Sequence, residues 1–118
     1  MGTNYYVVPN RPSTREPVHI GKSSAGWLFC FQYQNEAWYD PPIIWRDYDE
    51  VKAFLKKYTV DNNVYVIMDE YDTVVPYDEF IELVERKQND KRCQNNPENF
   101  RYDVDNIDGY RFTRKEFC

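Results

Sequence analysis

His19-Ile20-Gly21-Lys22-Ser23-Ser24-Ala25-Gly26-Trp27, followed at once by Leu28-Phe29-Cys30-Phe31, is the stretch on which the reading of this chain turns. Two glycines, two hydroxyls, a lysine and the only histidine crowd into nine positions ahead of an aromatic run. Gly21 and Gly26 permit positive φ or a close backbone approach, so amide N–H groups can converge on a point. Lys22, Ser23 and Ser24 add donors, and His19 donates or accepts. Two readings stand side by side: a loop that holds an anionic ligand, or a tight turn feeding a buried strand. A nucleotide-hydrolase P-loop is excluded. It needs glycine five residues before Gly21, where Glu16 stands, and a helix after the lysine, where Trp27 to Phe31 reads as strand.

Outward from that stretch, β-branched and aromatic residues make Thr3–Val8 a strand, and the prolines make Pro9–Pro17 a loop. Val18–Ile20 forms a short strand into the glycine turn, and Gly26–Tyr33 a central strand with aromatics on one face. Tyr5 and Tyr6 are neighbours on a strand, so one of them faces away from the core and can line a pocket. Gln34–Trp45 reads as loop. Asp47 caps a helix over 48–58, with Glu50 placed to complete a capping box and Val51, Phe54, Leu55 and Tyr58 as its apolar stripe. Val64–Met68 and Thr73–Val75 form a hairpin around Asp69-Glu70-Tyr71-Asp72, which reads as a polar turn rather than a metal or acid–base site. Pro76 opens a second helix, 77–88, with Tyr77, Phe80, Ile81 and Val84 inward. Polar 88–101 reads as a mobile insertion, and Ile107–Phe112 as a turn with a short strand. Asp103, Asp105 and Asp108 do not match a calcium loop. Phe117 is expected to pack near the end. The expected architecture is α+β: one small domain, residues 1–118, with a mainly antiparallel sheet and two amphipathic helices packed on it.

The chain has 118 residues, net charge −5 and 18% aromatics, including eleven tyrosines. Residues 1–30 hold three basic side chains against one acidic, while the other 88 hold twelve against nineteen. From Tyr58 through Glu85 there are eight carboxylates and no lysine or arginine. That balance excludes general nucleic-acid binding but leaves room for a local anion site, or for an acidic face that meets a basic partner. Apolar runs are strand-sized, so a soluble protein without a membrane span is expected. Cys30, Cys93 and Cys118 have no paired spacing, so neither a disulfide framework nor zinc is expected.

Met1-Gly2-Thr3-Asn4-Tyr5-Tyr6 and His19–Trp27, with Asp69–Asp72 and Asp108-Gly109-Tyr110-Arg111-Phe112 downstream, resemble a family of small uncharacterised proteins carried by bacteriophages and prophages. The relatives' C-x-x-C pair has no counterpart in Pro9–Pro17, and their glycine after Asp-Glu-Tyr is Asp72 here. No metal or cofactor is expected. The resemblance implies a viral accessory protein in the host cytoplasm, expected to counter host defences by binding rather than by chemistry. In the leading expectation, Gly21, Lys22, Ser23 and Ser24 hold the phosphate of a nucleotide signal. His19 or Trp27 then contacts sugar or base, and Tyr5 or Tyr6 stacks. In the alternative, a direct inhibitor such as an anti-CRISPR or nuclease inhibitor presents Asp78, Glu79, Glu82 and Glu85 to a basic groove of a host defence protein. A small enzyme using His19 as base comes third, and self-association remains open.

Overall fold

A computed structural model describes residues 2–11, 16–37, 39, 41–97 and 104–114. Its main sheet has seven strands in the order β7-β6-β1-β2-β3-β9-β8. These are β1 Gly2–Pro9, β2 Val18–Ser24, β3 Cys30–Gln32, β6 Tyr65–Asp69, β7 Val74–Val75, β8 Asp105–Ile107 and β9 Tyr110–Thr113. All pairings are antiparallel except β3 with β9, which is parallel. A second, two-stranded sheet joins β4 Gln34–Glu36 to β5 Ile43–Trp45. The fold is therefore α+β, as the sequence led us to expect.

Local chemistry explains most elements. In helix α1, Tyr48–Leu55, Asp47 Oδ1 accepts the Glu50 N–H at 2.8 Å. The Glu50 carboxylate reaches back to the N–H of Arg46 (2.8 Å), one residue beyond the N-cap N–H that the standard capping box would use. The helix runs on as a wider π-type turn over Lys56–Asp61, and Asn63, at φ 39°, ends it. At the β6–β7 turn Asp69 Oδ1 accepts from the N–H groups of Tyr71 and Thr73, so this carboxylate serves the turn itself. Asp108 and Gly109 both have positive φ, which closes the β8–β9 hairpin with the twist its strands need.

Helices α1 and α2, Tyr77–Gln88, lie on one face of the sheet. Phe80 of α2 meets Tyr5 and Phe29 with ring centroids 5.4 Å apart, and Tyr48 of α1 meets Phe31 at 5.6 Å. Phe29, Phe31, Phe80 and Phe112 are wholly buried. Trp45, also buried, ties the small sheet to α1 through Phe54 and donates Nε1–H to Gln32 O at 2.7 Å.

Three expectations need correction. First, Gly21–Ser24 is no turn: β2 runs straight through it, and the chain reverses at Ser24–Trp27, where Gly26 has φ 80°. Second, only Cys30–Gln32 of the expected 26–33 strand pairs as strand. Third, the expected 34–45 loop contains β4 and β5, because Ile43 and Trp45 bury one face while Ile44 stays exposed. Within 88–101, Lys91–Gln94 forms a short helix, α3, whose Cys93 is buried. Asn96 donates to Gly26 O at 3.0 Å. Residues 98–101, like Trp38, Asp103, Phe117 and Cys118, lie outside the described residues. Among those described, no helix is long and apolar enough to cross a membrane.

Candidate functional site

The expected phosphate loop is woven into the sheet. Gly21 pairs with Tyr5 on one side and Phe31 on the other, and Lys22 pairs with Asn4 and Cys30. Ser23 and Ser24 pair with Thr3 and Gly2. Inside a sheet the N–H groups of such residues point along the ladder, so they do not converge on a ligand. Gly21 is required by close approach rather than by conformation. A Cβ there would lie 2.3 Å from Cys30 O and 2.5 Å from the Phe29 ring. The Ser24–Trp27 turn is occupied as well. Lys87 Nζ donates to Ser24 O (2.6 Å) and Trp27 O (3.1 Å), with its ammonium pushed below its ordinary range chiefly by burial. The Arg111 guanidinium lies 5.5 Å from the Trp27 ring.

The two tyrosines part. Tyr5 packs between Phe29 and Phe80, and burial, with the Asp69 charge behind it, pushes its phenol up. Tyr6 turns to the opposite face and stacks on His19, centroids 5.1 Å apart. His19 Nε2 lies 2.9 Å from Asn4 Oδ1, and Nδ1 lies 2.6 Å from Gln32 Oε1. Asn4 Nδ2 donates to Glu70 Oε1 at 3.2 Å, which leaves its oxygen to accept from the imidazole. With both ring nitrogens engaged, His19 is built as a structural link, and base chemistry there would first have to break a hydrogen bond.

Of the expected ligand residues, Tyr6 and His19 border a cavity. It is a hollow of about 490 Å³ whose other walls include Glu16, Gln34, Glu36 and Tyr39. Nothing local in the sequence marks these residues, because the lining comes from three separate stretches, Tyr6, residues 16–19 and residues 34–39, joined by the β1–β2 pairing and by the Gln34 Nε2–H bond to His19 O. A second hollow of about 680 Å³ has Tyr33, Ile44 and Ile107 beside Arg46 and Arg114. Among the described residues, no group of three or more His, Cys, Asp or Glu stands where it could hold a metal ion.

The acidic helix is closer to expectation. Asp78, Glu79 and Glu82 are exposed on α2, and Tyr71 (70% exposed) and Val74 (56%) stand out on the adjoining hairpin. None of Asp61, Glu70, Asp72, Asp78, Glu79 or Glu82 forms an ion pair with a described residue. Glu85 does not belong with them. It accepts from Tyr48 OH (2.9 Å) and Lys52 Nζ (3.4 Å) and so holds the seam between α1 and α2.

Burial first, and then the Glu85 hydrogen bond, hold the Tyr48 phenol far above its ordinary value of 10. Burial and Asp105 likewise push Tyr33 up to about 12, against the opposing pull of Arg114. The folded state thus holds these protons more tightly than the unfolded chain does. The associated stability is complete below pH 10 and is lost as the pH rises from 10 towards 12. Urea midpoints are expected to stay level up to pH 10 and fall above it, and Tyr48→Phe should make that fall shallower. An equally steep fall in Tyr48→Phe would contradict the assignment.

Comparison with known proteins adds no relative to this geometry: no family model, no curated protein and no solved structure matches the chain.

Proposed function

We propose that the protein is a phage accessory protein that counters host defence by binding, and that it does so by laying the acidic face of α2 and the β6–β7 hairpin on a basic protein surface. The observation that carries this reading is the set of exposed carboxylates without ion-pair partners among the described residues, Asp72, Asp78, Glu79 and Glu82, next to exposed Tyr71 and Val74. A predominantly acidic surface with an aromatic at its edge, bordered by Lys56 over Tyr77, matches a groove that otherwise binds nucleic acid. The viral assignment is supported by the resemblance of the Met1–Tyr6 and His19–Trp27 segments. The bland account of Asp78 and Glu79 is that they complement the α2 dipole in its first turn, which contributes about 0.3–1 kcal/mol each. Glu82, one turn further on, is free of that role and is the cleaner probe.

The test is capture of nucleic-acid-binding proteins from host extract on immobilised protein. Wild type is expected to retain such a partner at low salt and to release it to competing DNA. The Glu79→Lys/Glu82→Lys variant should lose at least about tenfold in affinity. Capture that is indifferent to this reversal but lost in Lys22→Ala would refute the acidic-face reading.

The second reading, a phosphate-bearing nucleotide, is favoured by a specific feature away from residues 19–27. In the larger hollow, Arg46 and Arg114 flank Tyr33, and the Arg114 guanidinium sits 4.5 Å from that ring. Both guanidiniums already lean on carboxylates, Glu50 at 3.5 Å and Asp105 at 3.6 Å, so an anion there has to displace them.

A further inference from the structure

We propose that the hollow beside His19 is a receptor for a guanidinium group. The site lies apart from the acidic helix. Tyr5 faces α2, and Tyr6, next along the strand, looks into the hollow from the opposite face of the sheet.

The chemistry of the walls carries the assignment. Two carboxylates, Glu16 and Glu36, border the space, and neither forms an ion pair with a described residue. No lysine or arginine is among the described residues that line it. Two aromatic residues, Tyr6 and Tyr39, are among the walls; Tyr39 is buried, and Tyr6, stacked on His19 by one face, has its other face for a flat cation to lie on. The walls are fixed in place. Tyr39 OH donates to Glu16 O (3.4 Å), Gln34 Nε2 donates to His19 O (2.8 Å), and the Tyr6 ring rests on an imidazole held at both nitrogens. The His19 nitrogens are directed at Gln32 and Asn4, and Glu70, bonded to Asn4, adds a third carboxylate behind the ring. A guanidinium is planar, weakly hydrated and able to meet carboxylates with paired N–H groups while its face lies on a tyrosine. A compact, strongly hydrated ammonium matches only the charge. The group can belong to a free small molecule or to an arginine side chain of a protein partner.

Two-dimensional NMR titration of the full chain tests this with three probes. Agmatine carries a free guanidinium, N-acetyl-arginine amide the same head on a peptide unit, and N-acetyl-citrulline amide is its neutral isostere. The two guanidinium compounds are expected to shift the Tyr6, Glu36 and Tyr39 resonances saturably, with citrulline silent and with binding weakened by added salt. The stronger of the two names the source. Glu16→Gln/Glu36→Gln should weaken binding by roughly tenfold or more. If that pair does not fold, Glu36→Gln alone and Tyr6→Leu are read instead, each expected to weaken binding in a chain whose spectrum is otherwise unchanged. Silence from both guanidinium compounds at millimolar concentration, an equal response to citrulline, or full binding in the folded variants would overturn the proposal.

Discussion

Gly21→Ala is expected to destabilise the protein by about 3 kcal/mol and to lower its melting temperature by more than about 10 °C. The added methyl would meet Cys30 O at 2.3 Å and Phe31 Cα at 2.9 Å, both backbone atoms of the next strand, as well as the Phe29 ring at 2.5 Å. None of these is the free end of a flexible side chain, so β2 and β3 would have to separate. Gly26 provides the contrast. It has a positive φ but open space around it, with Arg92 Nε the nearest atom at 3.9 Å, so alanine there should cost only about 1–2 kcal/mol. A ligand loop at residues 21–24 predicts another ranking, with little loss of stability at Gly21. Thermal unfolding of the two variants side by side decides between them.

Phe29→Ala should cost roughly 3–5 kcal/mol in urea denaturation, the range for removing a wholly buried aromatic ring. Phe29 sits at the junction of the domain, 4.6 Å from Phe31, 5.4 Å from Phe80 and 5.9 Å from Tyr5, measured between ring centroids. Its loss leaves a cavity beneath α2, the helix that presents the acidic face. Partner binding should therefore fall with stability in Phe29→Ala. Glu82→Lys, by contrast, should change stability by no more than about 0.5 kcal/mol and act on binding alone. Equal losses of stability in the two variants would mean that Glu82 has a structural role which its exposure does not show.

How much of this was legible in the sequence depends on how local each cause is. The Asp47 cap, the apolar stripe of α2 and the turn at Asp69–Asp72 each rest on residues only a few positions apart, and all are readable. Strand β2 is not legible through Gly21-Lys22-Ser23-Ser24 because these residues are poor strand formers. Their place is decided by how closely β3 approaches, which is a tertiary fact. Strands β4 and β5 are three residues each, too short to show a period. The parallel β3–β9 pairing joins residues some eighty positions apart. Glu85 reads as one more exposed carboxylate on α2, and only the position of Tyr48 on α1 makes it part of the helix seam. The hollow at His19 was half legible. Period-two alternation marks one of Tyr5 and Tyr6 as outward, but Glu16, Glu36 and Tyr39 reach it only through tertiary contacts, such as Tyr39 OH on Glu16 O.

Beneath all of this lies one assertion, that residues 20–22 are interior strand and not a cradle of open amides. Hydrogen exchange of the Gly21 and Lys22 amides is its most direct test. Flanked by β1 and β3, both should exchange among the slowest in the protein, on the scale of global unfolding, and inorganic phosphate should leave them unchanged. Exchange at the rate of an unprotected loop, slowed when phosphate is added, would contradict the account.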